Sequence, residues 1–452
     1  MTRTRLHTLA GAAAAVALGC TSPESVRLIP SGQLYFPTGM FYAPSPGQGF
    51  LFVASSNFDR RYSTGRLTGI DVSTLGLPAL GSPPGPVLES ADLGTIDEKG
   101  LASLAGEMDG IQLPGGAWRI LVPSRAEGSL LQVLDTTGEQ ITCTGEGATD
   151  DCAVGAVSLE ANRLSATGLP RAPSPFSVGI FREDGDTFVT SLQLADSPAA
   201  SGKNAQAFLV RLNALEPRVE DSNYIPLGAV PTDSVVVGRR YAVMSGGQSL
   251  ALRLVDREKT DPNTGLPRLL SASAESNFNL LDTRGLALTA DETEVFLVAR
   301  RPDALLVYQA RGMQTDLPVL ALVHSELLPV GASQVRLIDK PSGGHLAFVT
   351  TLGTQSYDAV GPSQGALFVF DDTAGRVVAE LDGIGFQPYG LAIQPVGAGA
   401  RVYVGLFGEG RIAVVDVPDL DQPEGAHLVA RLGTSHVCVV NPGALGCSET
   451  SP

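Results

Sequence analysis

Gly361-Pro362-Ser363-Gln364-Gly365 fits the G-x-S-x-G spacing of a nucleophile elbow, in which a sharp strand-to-helix turn exposes a serine for acyl transfer and the next amide stabilises the oxyanion. The context opposes that chemistry. Pro362 precedes the serine, the segment after it reads as a strand, Ala366 to Asp371, and none of the five histidines is tied to it by spacing. The segment is read as a Gly-rich loop. Ser435-His436 sets a nucleophile beside a base, yet adjacent residues on an extended segment point to opposite sides. Glu183-Asp184-Gly185-Asp186 and Asp291-Glu292-Thr293-Glu294 suggest calcium by composition, but neither carries alternate-position carboxylates through a twelve-residue loop. Both are read as turns, as are the strand-terminal Asp71, Asp135, Asp256, Asp371 and Asp416. No metal and no cofactor is expected: Trp118 is the only tryptophan to stack on a quinone, and phosphate loops, H-E-x-x-H and paired C-x-x-C are absent.

The cysteines do a different chemistry. Cys143 with Cys152 and Cys438 with Cys447 fall as two pairs with eight residues between members, which is read as two local disulfides. An oxidising compartment permits them, and closing so short a loop contributes ~2–3 kcal/mol. The spacing lacks the close pairs of zinc ligands. The fifth, Cys20, follows Arg3, Arg5, an apolar run from Leu9 to Leu18 and a small-residue exit, which together read as a signal peptide over residues 1–19. That run is too short to span a bilayer.

Leu18-Gly19-Cys20 resembles the end of a bacterial lipobox, although Ala17 stands where Leu is usual. The resemblance implies a diacylglyceryl group on Cys20, cleavage ahead of it, and a membrane partner reached through the N-terminal lipid. Thr21 stands where Asp would favour inner-membrane retention, so an outer-membrane location is expected. Residues 20–33 then form the lipidated Cys and a tether.

The chain has 47 Asp and Glu against 31 Lys and Arg, a formal net charge of −16, and the expected leader removes two further Arg. Such a surface repels nucleic acid and disfavours anionic headgroups as a binding partner, so attachment is assigned to the acyl chains.

The elements that would position any site recur along residues 34–433. Pro388 to Ile393, Arg401 to Leu406, Arg411 to Asp416 and His427 to Leu432 form one set of four short apolar strands. Comparable sets begin at Gly285 and Gln334, and looser ones upstream bring the total to seven. Third strands such as Ala366-Leu367-Phe368-Val369-Phe370 are apolar on both faces, so both faces of their sheet are buried. A radial stack of four-stranded blades does this, and an all-β propeller of seven blades is expected. Tandem β-sandwiches are the alternative, but each sheet would need a solvated outer face. Residues 434–452 are left as a tail holding the second cysteine pair.

Val402-Tyr403-Val404-Gly405 with Ile412-Ala413-Val414-Val415-Asp416, and Leu51-Phe52-Val53-Ala54 with Leu67-Thr68-Gly69-Ile70-Asp71, resemble the YVTN-type repeat of bacterial seven-bladed propellers, whose relatives include sugar-lactone hydrolases. In such a blade the loop entering the first strand and the loop joining second to third lie on one face, at the channel mouth. Phe58, Arg60, Arg61, Tyr62, Arg300, Arg301, Tyr357, Tyr389 and Phe407 fall there and suit capture of an envelope protein partner or a small anionic ligand. The expected function is a lipid-anchored binding or assembly module of the cell envelope. A lactonase-like hydrolase with its site at the channel mouth is the alternative.

Overall fold

Two residues before the end of seven of its strands the chain carries valine: Val53, Val122, Val189, Val243, Val298, Val349 and Val404, each fully buried. A β-branched side chain suits a strand packed on both faces, and in the computed structural model these are the second strands of seven antiparallel sheets. The structure describes residues 27–436 apart from 46–47, 127, 160–173, 192–206, 221–222, 229–232, 246–251, 272–281 and 354–362.

Each sheet is one blade, its strands ordered from the innermost outward. Blade 1 comprises Pro37–Ser45, Gln48–Ser55, Gly65–Asp71 and Thr95–Leu101; blade 2, Asp109–Gln112, Trp118–Ser124, Leu130–Thr136 and Val157–Ser158, with Ile141–Cys143 sharing its outer edge. Blade 3 comprises Pro175–Ile180, Asp186–Ser191, Ala207–Asn213 and Tyr224–Gly228; blade 4, Val235–Val237, Tyr241–Ser245, Leu252–Thr260 and Pro267–Ser271. Blade 5 comprises Thr283–Leu288, Glu294–Arg300, Asp303–Arg311 and Val319–Leu327; blade 6, Ala332–Asp339, His345–Thr351, Gln364–Asp371 and Arg376–Phe386; blade 7, Pro388–Val396, Gly399–Leu406, Arg411–Val417 and His427–Leu432. The chain is an all-β, seven-bladed propeller, and the tandem-sandwich alternative falls away.

The core lies between blades, as in the cluster of Tyr241, Leu254, Leu297 and Tyr308 from blades 4 and 5. Near the axis the blades crowd, and glycine makes the approach fit. A Cβ on Gly39 would stand 2.6 Å from the Gly106 carbonyl oxygen, and one on Gly390 2.7 Å from that of Thr38.

The ring closes where blade 7 packs on blade 1, and a feature not expected from the sequence holds that seam. Leu88–Ser90, inside the long connection between the third and outer strands of blade 1, crosses over and pairs parallel with His427–Leu432 as a fifth strand of blade 7. Glu89 receives hydrogen bonds from Arg411 and, at 2.8 Å, from Arg431. Burial pushes the Glu89 carboxyl up, but the two guanidiniums outweigh it and hold it below the usual carboxylate range.

Of the aspartates expected to end strands, Asp71 and Asp371 do so, whereas Asp256 lies inside Leu252–Thr260. Asp71 accepts from the Ser73 amide at 2.9 Å and Asp371 from the Thr373 amide at 2.9 Å. Asp256 accepts from the Glu258 amide at 3.1 Å. Asp135 and Asp416 each take a bidentate arginine, Arg119 and Arg401, with closest distances of 2.7 Å.

Cys143 and Cys152 are joined as a disulfide. Their loop reaches back to the outer strand of blade 1, where the Gly100 amide donates to Asp150 O at 2.7 Å and the Cys152 amide to Gly100 O at 2.9 Å. Cys20, Cys438 and Cys447 lie outside the described residues. Among the described residues no helix is long and apolar enough to cross a membrane.

Candidate functional site: the axial cavity

The innermost strands leave between them a cavity of about 600 Å³ lined by all seven blades. Its walls include Met40, Val236, Leu286 and Leu391. Because each innermost strand starts on one face and ends on the other, the cavity has two chemically distinct ends.

At the starting end an aromatic lid covers the axis. Tyr35 and Phe36, just ahead of blade 1, pack with Ile29, Tyr62, Phe176, Leu352, Tyr389 and Phe407, and with half-buried Phe58. The rings meet edge-on or tilted, as expected for aromatic quadrupoles: Tyr35 and Tyr62 at 4.7 Å, Phe36 and Phe407 at 4.9 Å, Phe58 and Phe407 at 5.5 Å between centroids. Asn57 fixes the loop that supplies Phe58 and Tyr62, its side chain accepting from the Tyr62 amide at 3.1 Å and donating to the Tyr62 carbonyl at 2.7 Å. His436 closes the rim, stacked on Tyr35 at 4.3 Å with its amide bonded to Glu409 O at 2.7 Å. Burial holds its imidazole below the ordinary value, and Arg61 adds to this.

Beneath the lid sits Glu107, fully buried, directly before the innermost strand of blade 2. Its carboxylate accepts from Gln334 Nε2 of blade 6, from the Tyr389 hydroxyl of blade 7 at 3.3 Å and from Ser177 Oγ of blade 3 at 3.5 Å. Arg336 stands 4.0 Å away. Burial pushes the Glu107 carboxyl up to about 7; Arg336 opposes this and Asp233 reinforces it. Asp233, also buried, starts blade 4 and is met by Arg284 of blade 5 at 3.2 Å; burial raises it as well. Such a site can hold or pass a proton near neutrality and bind polar groups.

The other end is open and charged. Arg182 and Glu183 are exposed at its rim, with Asp109 and Glu292 half-buried beside them. Arg182 meets Asp109 at 3.2 Å.

No protein-family model and no curated protein matches the sequence. Among solved structures, the chain is similar to a periplasmic gluconolactonase of Pseudomonas aeruginosa, with a TM-score of 0.48 and 15% identity over 76% of this chain and 85% of that one. It is similar to the β-propeller domain of Myceliophthora thermophila Cps50 (Swd1), with a TM-score of 0.48 and 13% identity over 85% and 97%. It is also similar to Kuenenia stuttgartiensis hydrazine synthase, with a TM-score of 0.45 and 13% identity over 72% and 86%. None of the three bears on activity.

The residues expected at the channel mouth have separate fates. Tyr62, Tyr389 and Phe407 are buried in the lid and Phe58 is half-buried in it. Arg300 is buried, its guanidinium donating to Ala332 O at 2.8 Å and Ser333 Oγ at 2.6 Å. Arg61 pairs with Asp59 at 3.3 Å. Arg60 and Arg301 are exposed, on blades 1 and 5, and Tyr357 lies outside the described residues. Ser363 donates to Leu352 O at 3.1 Å and is followed by a strand, Gln364–Asp371, while His436 belongs to the lid. Glu107 and Asp233 were missed; Asp233 offered the signal of an acid just ahead of the apolar strand Val235–Val237, whereas Glu107 precedes the polar strand Asp109–Gln112 and offered none.

Glu294, His345 and Asp372 bring ligand-type atoms within 4.8 Å of one another on the open face. His345 Nδ1 meets Asp339 at 2.9 Å, and Asp372 accepts the His345 amide at 2.8 Å, so these contacts hold a turn between strands.

Proposed function

We propose that this chain is an exported, lipid-anchored β-propeller of the cell envelope that works as a binding module, taking a small polar ligand into its axial cavity. One observation carries the reading: a cavity of about 600 Å³, lined by all seven blades, is covered by an aromatic lid at one end and open at the other. That volume lies within the ~300–1,000 Å³ of small-molecule sites. Anchoring, and an outer-membrane location, rest on the N-terminal segment that ends at Cys20 and on Thr21. Any envelope protein partner engaging the lid face would meet exposed Arg60 and Arg301. The test is native mass spectrometry and thermal-shift titration against sugars, sugar acids, amines and short peptides, beside Arg336→Ala, which removes a cavity-lining guanidinium 4.0 Å from Glu107. A ligand bound by the unmodified chain and lost from the folded variant supports the reading; equal binding by both overturns it.

Glu107, held near neutrality, favours a second reading: a lactonase-like hydrolase with Glu107 as proton donor or acceptor. Lactone turnover that is abolished in Glu107→Gln would replace the binding module with that enzyme.

A further inference from the structure

The described chain begins at Arg27 on the lid face. Its amide donates to Ser63 Oγ at 3.0 Å and its carbonyl accepts from the Ser63 amide at 2.8 Å, and Ser63 lies in the loop after the second strand of blade 1. Ile29 is then buried in the lid itself. Six residues lie between Cys20 and Arg27, and the seven Cα-to-Cα steps reach at most about 25 Å. The innermost strand of blade 1 has nine residues, so the ring is about 30 Å tall. A tether leaving the lid face is too short to pass down the side of the ring and bring the opposite face to its anchor.

Exposed arginines stand on the face from which the tether leaves. On the lid face Arg27, Arg60 and Arg301 are exposed beside Leu28, which is 55% exposed, and Asp59 is paired with Arg61. On the open face exposed Glu183, Asp291, Asp339 and Asp421 stand among exposed Arg182, Arg239, Arg311 and Arg376, and Asp184 and Asp316 are paired with Arg257 and Lys259. In a chain of net charge −16, Arg27, Arg60 and Arg301 give the described lid face a local basic cluster beside the tether. A basic residue near an anionic membrane contributes about 1 kcal/mol, so Arg27, Arg60 and Arg301 add an orienting force to an anchor that supplies the residence time.

We infer that the lid face rests on the membrane surface against anionic phospholipid headgroups, and that the axial cavity opens away from the membrane. This rests on the anchored reading above. It departs from the sequence-based expectation that the acidic chain avoids anionic lipid, because Arg27, Arg60 and Arg301 cluster where the tether leaves.

The experiment uses the full lipidated chain in vesicles of phosphatidylethanolamine and phosphatidylglycerol carrying an acceptor dye on a fraction of headgroups. A donor dye is placed at Leu327→Cys, where blade 5 ends on the lid face, or at Arg182→Cys on the open face. Energy transfer several-fold stronger from position 327 is expected; equal transfer, or stronger transfer from 182, overturns the proposal. Replacing Arg27, Arg60 and Arg301 with Ser should weaken the preference in these vesicles and leave it unchanged in neutral phosphatidylcholine. A preference equal in both lipids for the unmodified chain removes the headgroup part. The intact mass tests anchoring separately: absence of acyl mass on Cys20 overturns the anchor, and transfer is then measured on chain coupled through Cys20 to a maleimide lipid.

Discussion

The Tyr389 hydroxyl of blade 7 reaches across the channel axis to Glu107 of blade 2, 282 residues away, at 3.3 Å. Gln334 of blade 6 donates to both, at 3.1 Å to the tyrosine oxygen. Three blades are therefore tied by one buried carboxyl group whose affinity for its proton depends on the ring being assembled.

Stability should fall as pH rises through the Glu107 window. The folded carboxyl titrates at about 7 against 4.5 when unfolded, so between those values the unfolded chain loses its proton first and is favoured. The full effect is present below pH 4.5 and lost above about 7, an upper bound of about 3 kcal/mol. Asp233 acts in the same direction. Denaturant midpoints at pH 5 and pH 8 should differ for the unmodified chain and differ less in Glu107→Gln, Asp233 supplying the remainder; an unchanged difference would place the titration elsewhere.

Removing the Cys143–Cys152 bridge with a double Ser substitution should cost about 2–3 kcal/mol, the entropy of leaving a short loop open in the unfolded chain. Reductant should lower the urea midpoint of the unmodified chain toward that of the variant. Hydrogen exchange at Gly100 should rise as well, because its amide is held by Asp150 of that loop.

Phe407→Ala removes a ring that touches Phe36, Phe58 and Tyr389, within 6.4 Å at the farthest centroid. A loss of about 3–5 kcal/mol is expected for a buried aromatic side chain. Its signature is local: proteolysis or hydrogen exchange should accelerate at residues 29–36, while the central strands of the blades stay protected.

Gly39→Ala should cost about 1–3 kcal/mol, the range for forcing extra volume into a packed interior. The added methyl would lie 2.6 Å from Gly106 O and 3.2 Å from Met108 Cγ, so blade 1 must withdraw from blade 2. A thermal midpoint equal to that of the unmodified chain would mean the inner strands separate freely there.

The blades were legible because their signal is local. Doubly apolar strands such as Ala366 to Phe370 announce burial on both faces, and a strand-end aspartate such as Asp371 marks the turn that follows. The lid was not legible, because Ile29, Tyr35 and Phe36 sit in or beside a stretch that reads as a tether, and Phe407 and Tyr389 look like exposed loop aromatics until the ring brings them together. Glu107 was hidden for the same reason, its partners Gln334 and Tyr389 being 227 and 282 residues away. The strand Leu88–Ser90 is three residues long in a Pro- and Gly-rich connection, too short for any period to show.

That short strand decides how the molecule carries load. The seam between the first and last blades is fastened by a crossing segment from the interior of the chain, so neither terminus is the rivet. Tension applied through the N-terminal tether meets residues 27–36 first, and these are held by side-chain packing and a few hydrogen bonds rather than by a ladder. Under pull these residues peel before the ring is strained, leaving Tyr62, Phe176, Tyr389 and Phe407 behind on the blades as a thinned cover.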